Sequence, residues 1–172
     1  RSIEGPITIW GKTDAFKESS DLYAVNISHE VHKIFHDYNN TILIIDPGQK
    51  VISSSLGHEL MNKNTFSNIR FEIANNNIER LKDILKSGEL DDFINITESE
   101  ALMIHSLMLS SDPYYILMKP NTLEAINKVL EFRRETKLHL SFTLDAGSNV
   151  HLLYPKSETE IITKFIDKNT LF

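Results

Sequence analysis

The chain has 172 residues, a formal net charge of -6 and no cysteine. This length suits one domain with a sizeable core, and the lack of cysteine excludes disulfides, cysteine catalysis and cysteine–zinc sites. The negative charge argues against nucleic acid and anionic membranes as partners, and no apolar run approaches the ~20 residues that span a bilayer.

The first part of the chain predicts short strands separated by a polar loop. Residues 7–10 are expected to form a strand, and residues 12–27 are expected to form the loop. Residues 41–46 are mostly apolar, which predicts a buried strand, and Pro47 with Gly48 ends it. Up to this point the pattern indicates strands and turns.

Three long helices are predicted next. Apolar residues recur at helical spacing over residues 66–86, and Gly88 is typical of the residue that ends a helix. A second helix over residues 90–108 has the most regular apolar spacing in the chain. A capping box formed by Asn121 and Glu124 predicts the start of the third.

A β-hairpin is predicted after these helices. Residues 140–144 and 150–154 are largely apolar, and they flank a tight turn over residues 145–149. A last helix is expected over residues 161–166. Strands and helices are thus segregated along the chain. This order predicts an α+β fold in which helices pack on an antiparallel or mixed sheet.

The hairpin turn brings together groups that could contact a ligand. Asp145 offers a carboxylate and Asn149 an amide, while Gly147 lets a ligand approach the backbone and could supply a positive φ. Asp, Gly, Ser and Asn are common turn residues, so their spacing alone favours an ordinary turn. Together with the residues around it, the turn forms a more specific sequence pattern.

The segment T-x-D-A-G-x-N over residues 143–149, followed by an apolar strand, resembles the C-terminal signature of the mevalonate diphosphate decarboxylases. These enzymes are members of the GHMP kinase superfamily. Three further blocks resemble the family in the same order along the chain. They are Arg1-Ser2 with the strand that follows, the segment V-I-S-S-S-L-G over residues 51–57, and residues 105–118.

The resemblance implies a ferredoxin-like GHMP kinase C-terminal domain over residues 1–172. Residues 1–27 would be a strand and loop that bridge from an N-terminal ATP-binding domain. The implied reaction is the ATP-dependent decarboxylation of mevalonate 5-diphosphate to isopentenyl diphosphate in the mevalonate isoprenoid pathway. The resemblance also implies a cytoplasmic homodimer, with ATP and Mg²⁺ bound mainly by the N-terminal domain. The chain contains no glycine-rich phosphate-loop motif, so we expect this fragment alone to be inactive.

The same residues are also compatible with other functions. A close relative of the family decarboxylates mevalonate 5-phosphate with the same fold. Ser55 stands where some bacterial members carry an arginine, which leaves the phosphorylation state of the substrate open. The chain could also be a non-catalytic half that needs its N-terminal partner. A related kinase without decarboxylation is disfavoured by the D-A-G-x-N turn.

The resemblance assigns roles to four residues. Asp145 would take or orient the proton of the substrate's tertiary hydroxyl group, and Arg1 would hold the substrate carboxylate through paired donors. Ser54 would bind the phosphate end of the substrate, although a helix cap explains this serine equally well. Gly147 would let the substrate approach the turn backbone.

The remaining candidates are interpreted as structural. His105 lies on an apolar helix and is expected to be a core group. His29, His32 and His36 have a spacing that can ligate zinc on one helix face, but a solvated helix face is the favoured interpretation, and no metal site is predicted. The Arg133-Arg134 pair, beside two glutamates, predicts a surface ion-pair cluster.

Overall fold

The structure is a computed structural model that describes residues 4–48 and 59–169. Its strands are, in chain order, β1 (Thr8–Ile9), β2 (Val25–Asn26), β3 (Tyr38–Leu43), β4 (Ser141–Leu144) and β5 (Val150–Pro155). Its long α-helices are α1 (Ser67–Ser87), α2 (Leu90–Leu109), α3 (Pro120–Thr136) and α4 (Thr159–Asn169).

The larger sheet is antiparallel throughout, with the strand order β3-β5-β4. Val150 in the central strand is paired with Leu43 on one side and with Leu144 on the other. Strands β1 and β2 form a separate antiparallel pair. The expected α+β fold is therefore confirmed. The prediction allowed an antiparallel or a mixed sheet, and both described sheets are antiparallel.

The main core lies on one face of this sheet. Leu152 on β5 and Phe142 on β4 pack against Val129 on α3 and Ile162 on α4. Helix α2 contributes Ala101 to the same cluster. The alternation of the strands points every second side chain at these helices, so burial of the apolar face holds sheet and helices together.

Strand β3 differs from its prediction in position and in burial. It begins and ends three residues earlier than residues 41–46, and it is an edge strand of the sheet. Leu43 packs against the main core, whereas Ile42 is 47% exposed and Ile44, just beyond the strand, is 57% exposed. The prediction of a buried strand was wrong because helices cover only one face of the described sheet.

The N-terminal segment is more ordered than the predicted loop. Val25–Asn26 pairs with Thr8–Ile9, so part of residues 12–27 is a strand. Phe16 joins a second apolar cluster, in which the ring of Phe35 lies 4.9 Å from that of Phe93 on α2. This cluster attaches the N-terminal segment to the corner between α1 and α2.

The helices lie close to where their spacing predicts them. Gly88 ends α1 with φ of 85°, a left-handed conformation that glycine adopts readily, as predicted. The cap of α3 differs, because the helix begins at Pro120 and the backbone N–H of Lys119 donates to Thr122 Oγ1 at 3.0 Å. No helix in the described ranges is long and apolar enough to cross a membrane.

An ion pair between α2 and α3 occupies the free edge of β4. Arg133 donates two hydrogen bonds to Glu98, at 2.6 and 2.9 Å, and a third to the carbonyl of Leu140 at 2.8 Å. The backbone N–H of Phe142 donates to Glu98 Oε1 at 3.3 Å. The prediction that Arg133 belongs to a surface cluster was wrong, since its partner comes from α2; Arg134 does face Glu131 at the surface.

Candidate active site

Asp145 lies directly after β4, at the start of the turn that leads into β5. Leu144 and Val150 are paired and buried on either side of this turn. The five residues between them leave the sheet, and the Asp145 side chain is exposed. The hairpin therefore carries this carboxylate at its tip, as the turn sequence predicts.

The turn forms one wall of an open cavity of about 130 Å³. Three segments line this cavity. They are the turn (Asp145, Ala146, Gly147, Ser148 and Asn149), the segment after β3 (Asp46 and Gly48) and the segment before α3 (Ile116, Leu117 and Lys119). Asp145 thus faces a space that a ligand can enter, with groups from three parts of the chain around it.

The first end of the turn is attached to α2. The carbonyl oxygen of Asp145 accepts a hydrogen bond from the backbone N–H of Gly147 at 2.7 Å. It lies 3.1 Å from Nε2 of His105, which must carry the proton because a carbonyl can only accept. Ala146 packs against the apolar cluster that contains Leu107 and Tyr115. The start of the turn therefore rests on the C-terminal half of α2.

The second end of the turn is attached to α3 and to the segment after β3. Thr122 is 0% exposed and its hydroxyl donates to the carbonyl of Ser148 at 2.7 Å. Oδ1 of Asn149 accepts hydrogen bonds from the backbone N–H groups of Ile45, at 2.9 Å, and Asp46, at 3.4 Å. Satisfied polar contacts of this kind hold a turn in one geometry.

His105 is the buried titratable group beneath this turn, with 1% of its surface exposed. Burial lowers the pKa of His105 from its usual value of 6.5, because the charged imidazolium loses its hydration. The hydrogen bond with the Asp145 carbonyl and the Asp145 carboxylate act in the opposite direction without reversing the shift. At neutral pH His105 is therefore neutral.

The lowered pKa of His105 predicts a loss of stability in mild acid. In the unfolded chain His105 binds a proton near pH 6.5, but in the folded chain it does so only at lower pH. The unfolded state therefore holds more protons in this window. The contribution of His105 to the free energy of unfolding is complete above the pKa that this residue has in the unfolded chain. It is lost as the pH falls, by no more than about 1.4 kcal/mol per pH unit.

Urea unfolding of the wild-type chain and of a His105→Gln variant at about pH 7.5 and about pH 5.5 measures this effect. The wild type should lose more free energy of unfolding between the two pH values than the variant. The two proteins differ only at residue 105, so the difference isolates His105. Equal losses in both proteins would contradict the prediction.

Among the described residues, the charges around the cavity do not form a cradle for phosphates. Nζ of Lys119 lies 3.8 Å from Oδ2 of Asp46, and Oδ1 of Asp46 accepts a hydrogen bond from the N–H of Gly48 at 2.9 Å. With Asp145, the described part of the lining therefore carries two carboxylates and one ammonium group. Such a lining suits an exchange of a proton with a hydroxyl group, whereas the polyphosphate of ATP needs more donors.

The structure allows two of the four predicted site residues to be located. Asp145 and Gly147 both line the cavity. Arg1 and Ser54 lie outside the described residues, so their roles stay predictions. In the described ranges, the glycines with positive φ are Gly5, Gly11 and Gly88. The positive φ suggested for Gly147 is therefore not observed.

Three residues around the turn were not assigned by the sequence. Asp46 and Lys119 line the cavity, and Thr122 holds the end of the turn. Asn149, which the sequence marks as a turn residue with an amide group, binds the backbone after β3. A signal existed only for Asp46, which follows an apolar run and precedes Pro-Gly, a position where polar residues often reach the end of a sheet. The other contacts depend on how distant segments meet.

The three histidines near residue 30 do not share a helix. Two short 3₁₀ turns, Ser28–Glu30 and Lys33–Phe35, separate them, so the predicted common helix face was wrong. His32 accepts a hydrogen bond from the N–H of Ile34, and His36 lies 3.0 Å from the carbonyl of Ser28. Across the residues that the structure describes, no group of three or more metal-ligating side chains is found.

Residues 40–171 match the model of the family described as mevalonate 5-diphosphate decarboxylase C-terminal domain. A curated relative, diphosphomevalonate decarboxylase of Ganoderma lucidum, is 24% identical over 176 residues. The match covers 98% of this chain and 43% of the relative. The chain therefore spans less than half the length of this relative.

Solved structures share the fold. Mevalonate diphosphate decarboxylase from Staphylococcus aureus superposes with a TM-score of 0.77 at 22% identity, over 86% of this chain and 44% of that one. A second structure, described as MDDEF in complex with MVAPP, AMPPCP and magnesium, has a TM-score of 0.71 at 22% identity. The similarity covers 77% of this chain and 41% of that one. In both cases the similarity covers a little over two-fifths of the longer chain.

Proposed function

Because the chain belongs to the family of mevalonate 5-diphosphate decarboxylase C-terminal domains, we propose that it is the C-terminal part of an enzyme that decarboxylates mevalonate 5-diphosphate with ATP. The products are isopentenyl diphosphate, ADP, phosphate and carbon dioxide. The observation that carries the proposal is the position of Asp145, which lines a cavity within the region that matches the family.

In the proposed reaction Asp145 acts on the tertiary hydroxyl group of the substrate. Its carboxylate accepts or orients the hydroxyl proton while the oxygen is phosphorylated by ATP. The carbon–oxygen bond then breaks and phosphate leaves with the bonding electrons. Loss of carbon dioxide supplies the electron pair of the new double bond. Gly147 is proposed to let the substrate lie close to the turn, while Arg1 orients the carboxylate and Ser54 contacts the phosphate end.

The proposed reaction also needs a binding site for ATP. The described lining of the cavity around Asp145 lacks a phosphate cradle, so ATP and Mg²⁺ are assigned to an N-terminal domain that residues 1–27 would connect to the rest of the chain. Structures such as the complex with AMPPCP and magnesium support these co-substrates for the family fold. A cytoplasmic homodimer is the proposed form of the intact enzyme.

The proposal is tested by turnover of the intact enzyme with mevalonate 5-diphosphate and ATP. We expect ADP and carbon dioxide in equal amounts, and a lower kcat/KM with mevalonate 5-phosphate. Preference for the monophosphate would instead support the phosphomevalonate decarboxylase. A stable phosphorylated product without carbon dioxide would identify a kinase and contradict the proposal.

A second candidate function is a non-catalytic half that needs its N-terminal partner. It is favoured by the sequence, which contains no glycine-rich phosphate-loop motif. We expect no turnover from this chain alone and recovery of turnover when the N-terminal half is added. Carbon dioxide release by the chain alone would show that it binds ATP productively by itself.

A further inference from the structure

His105 is a buried polar side chain that the proposed reaction does not use. It lies on α2 with 1% of its surface exposed, next to Leu107 and Met108, which belong to an apolar cluster. Placing an imidazole among apolar groups is unfavourable unless its N–H finds an acceptor. The acceptor here is the carbonyl oxygen of Asp145, 40 residues further along the chain.

The bond acts on Asp145, one of the residues that line the cavity. The carbonyl of Asp145 receives both the His105 imidazole and the N–H of Gly147, so the orientation of this peptide group is set from two sides. A displacement of that peptide group would shift the Cα of Asp145, and its side chain would move with it. Packing of Ala146 against the cluster at the end of α2 opposes the same displacement.

The far end of the turn has its own attachments. Thr122 holds the carbonyl of Ser148, and Asn149 holds the backbone after β3. The two ends are therefore fixed by different helices, and the His105 bond is a polar contact between α2 and the Asp145 end. Without it, the turn would remain attached at Ser148 and Asn149 while its catalytic end moved.

We propose that His105 is a positioning residue for Asp145, holding the turn so that the carboxylate meets the substrate hydroxyl group in the cavity. This inference rests on the proposed function. Displacements of about 1 Å at a reacting group can lower the rate by about 100-fold. Loss of the bond should therefore lower kcat, while KM, which depends on binding groups elsewhere, stays nearly constant.

The test compares variants of the intact enzyme. His105→Leu removes the donor, and His105→Gln retains one, because the glutamine amide nitrogen can take a place close to that of Nε2. We expect kcat to fall by about 10- to 100-fold in the leucine variant, with KM within about threefold, and to recover largely in the glutamine variant. If the leucine variant does not fold, His105→Asn, whose shorter amide cannot reach the carbonyl, should show the same loss.

Ile94→Ala is the matched control for stability. Ile94 is buried on the same helix, about 16 Å from His105 along the helix axis at 1.5 Å per residue. Its truncation should lower the unfolding temperature without lowering kcat. A leucine variant that keeps wild-type kcat, or loses no more than Ile94→Ala does, would reduce His105 to a structural role and overturn the inference.

The Asp145→Asn variant distinguishes a failure of the positioning role of His105 from a failure of the proposed function of Asp145. If it is inactive while His105→Leu remains fully active, only the positioning role of His105 fails. If Asp145→Asn itself retains kcat, the proposed function of Asp145 fails, and the positioning inference falls with it.

Discussion

The Asp145→Asn variant of the intact enzyme is expected to lose about 10²- to 10⁴-fold in kcat, with KM changed by less than about threefold. Asparagine has nearly the shape of aspartate and can still contact a hydroxyl group, but it cannot accept the proton. Substrate binding should therefore persist while the chemical step slows. Parallel measurement of ADP and carbon dioxide release checks the prediction.

Two control variants isolate the effect of the Asp145 carboxylate. Asp46→Asn removes the other carboxylate of the same cavity, which is paired with Lys119, and should lower kcat by less than about tenfold. Asp83→Asn changes an exposed carboxylate on α1 and should have no effect. If Asp145→Asn keeps more than about a tenth of wild-type kcat, proton acceptance by Asp145 is contradicted.

Local features of the fold were predictable because neighbouring residues determine them. The hairpin follows from two apolar runs around a Gly-containing turn, and both strands lie within one residue of the predicted ends. The end of α1 follows from Gly88, which takes the left-handed conformation that ends helices. In both cases a few consecutive residues carry the information.

Features that depend on distant segments were not predictable. The exposure of Ile42 on β3 depends on which face of the sheet the helices cover. The burial of His105 follows from its apolar helix, but its contact with Asp145 spans 40 residues. Thr122 could not be linked to the turn, because its hydroxyl reaches a carbonyl 26 residues away. The candidate site was thus predictable as a turn that contains Asp145 and Asn149, but the contacts of His105 and Thr122 with this turn were not.

The largest expected effect on stability comes from the pair of Glu98 and Arg133. Glu98 is 9% exposed, and it accepts hydrogen bonds from two nitrogens of Arg133 and from the N–H of Phe142. Glu98→Ala would leave a largely buried guanidinium without its counter-charge and a strand N–H without an acceptor. We expect the free energy of unfolding to fall by about 3 kcal/mol or more.

Urea unfolding of the chain measures this loss, with Glu124→Ala as the matched control. Glu124 forms a more exposed pair with Lys128 at 3.1 Å, and its removal should cost less than about 1 kcal/mol. A double variant, Glu98→Ala with Arg133→Met, should be less destabilised than the sum of the two single variants, because it leaves no unpaired buried charge. Additive losses, or a cost for Glu98→Ala as small as that for Glu124→Ala, would show that the pair does not secure the edge of β4.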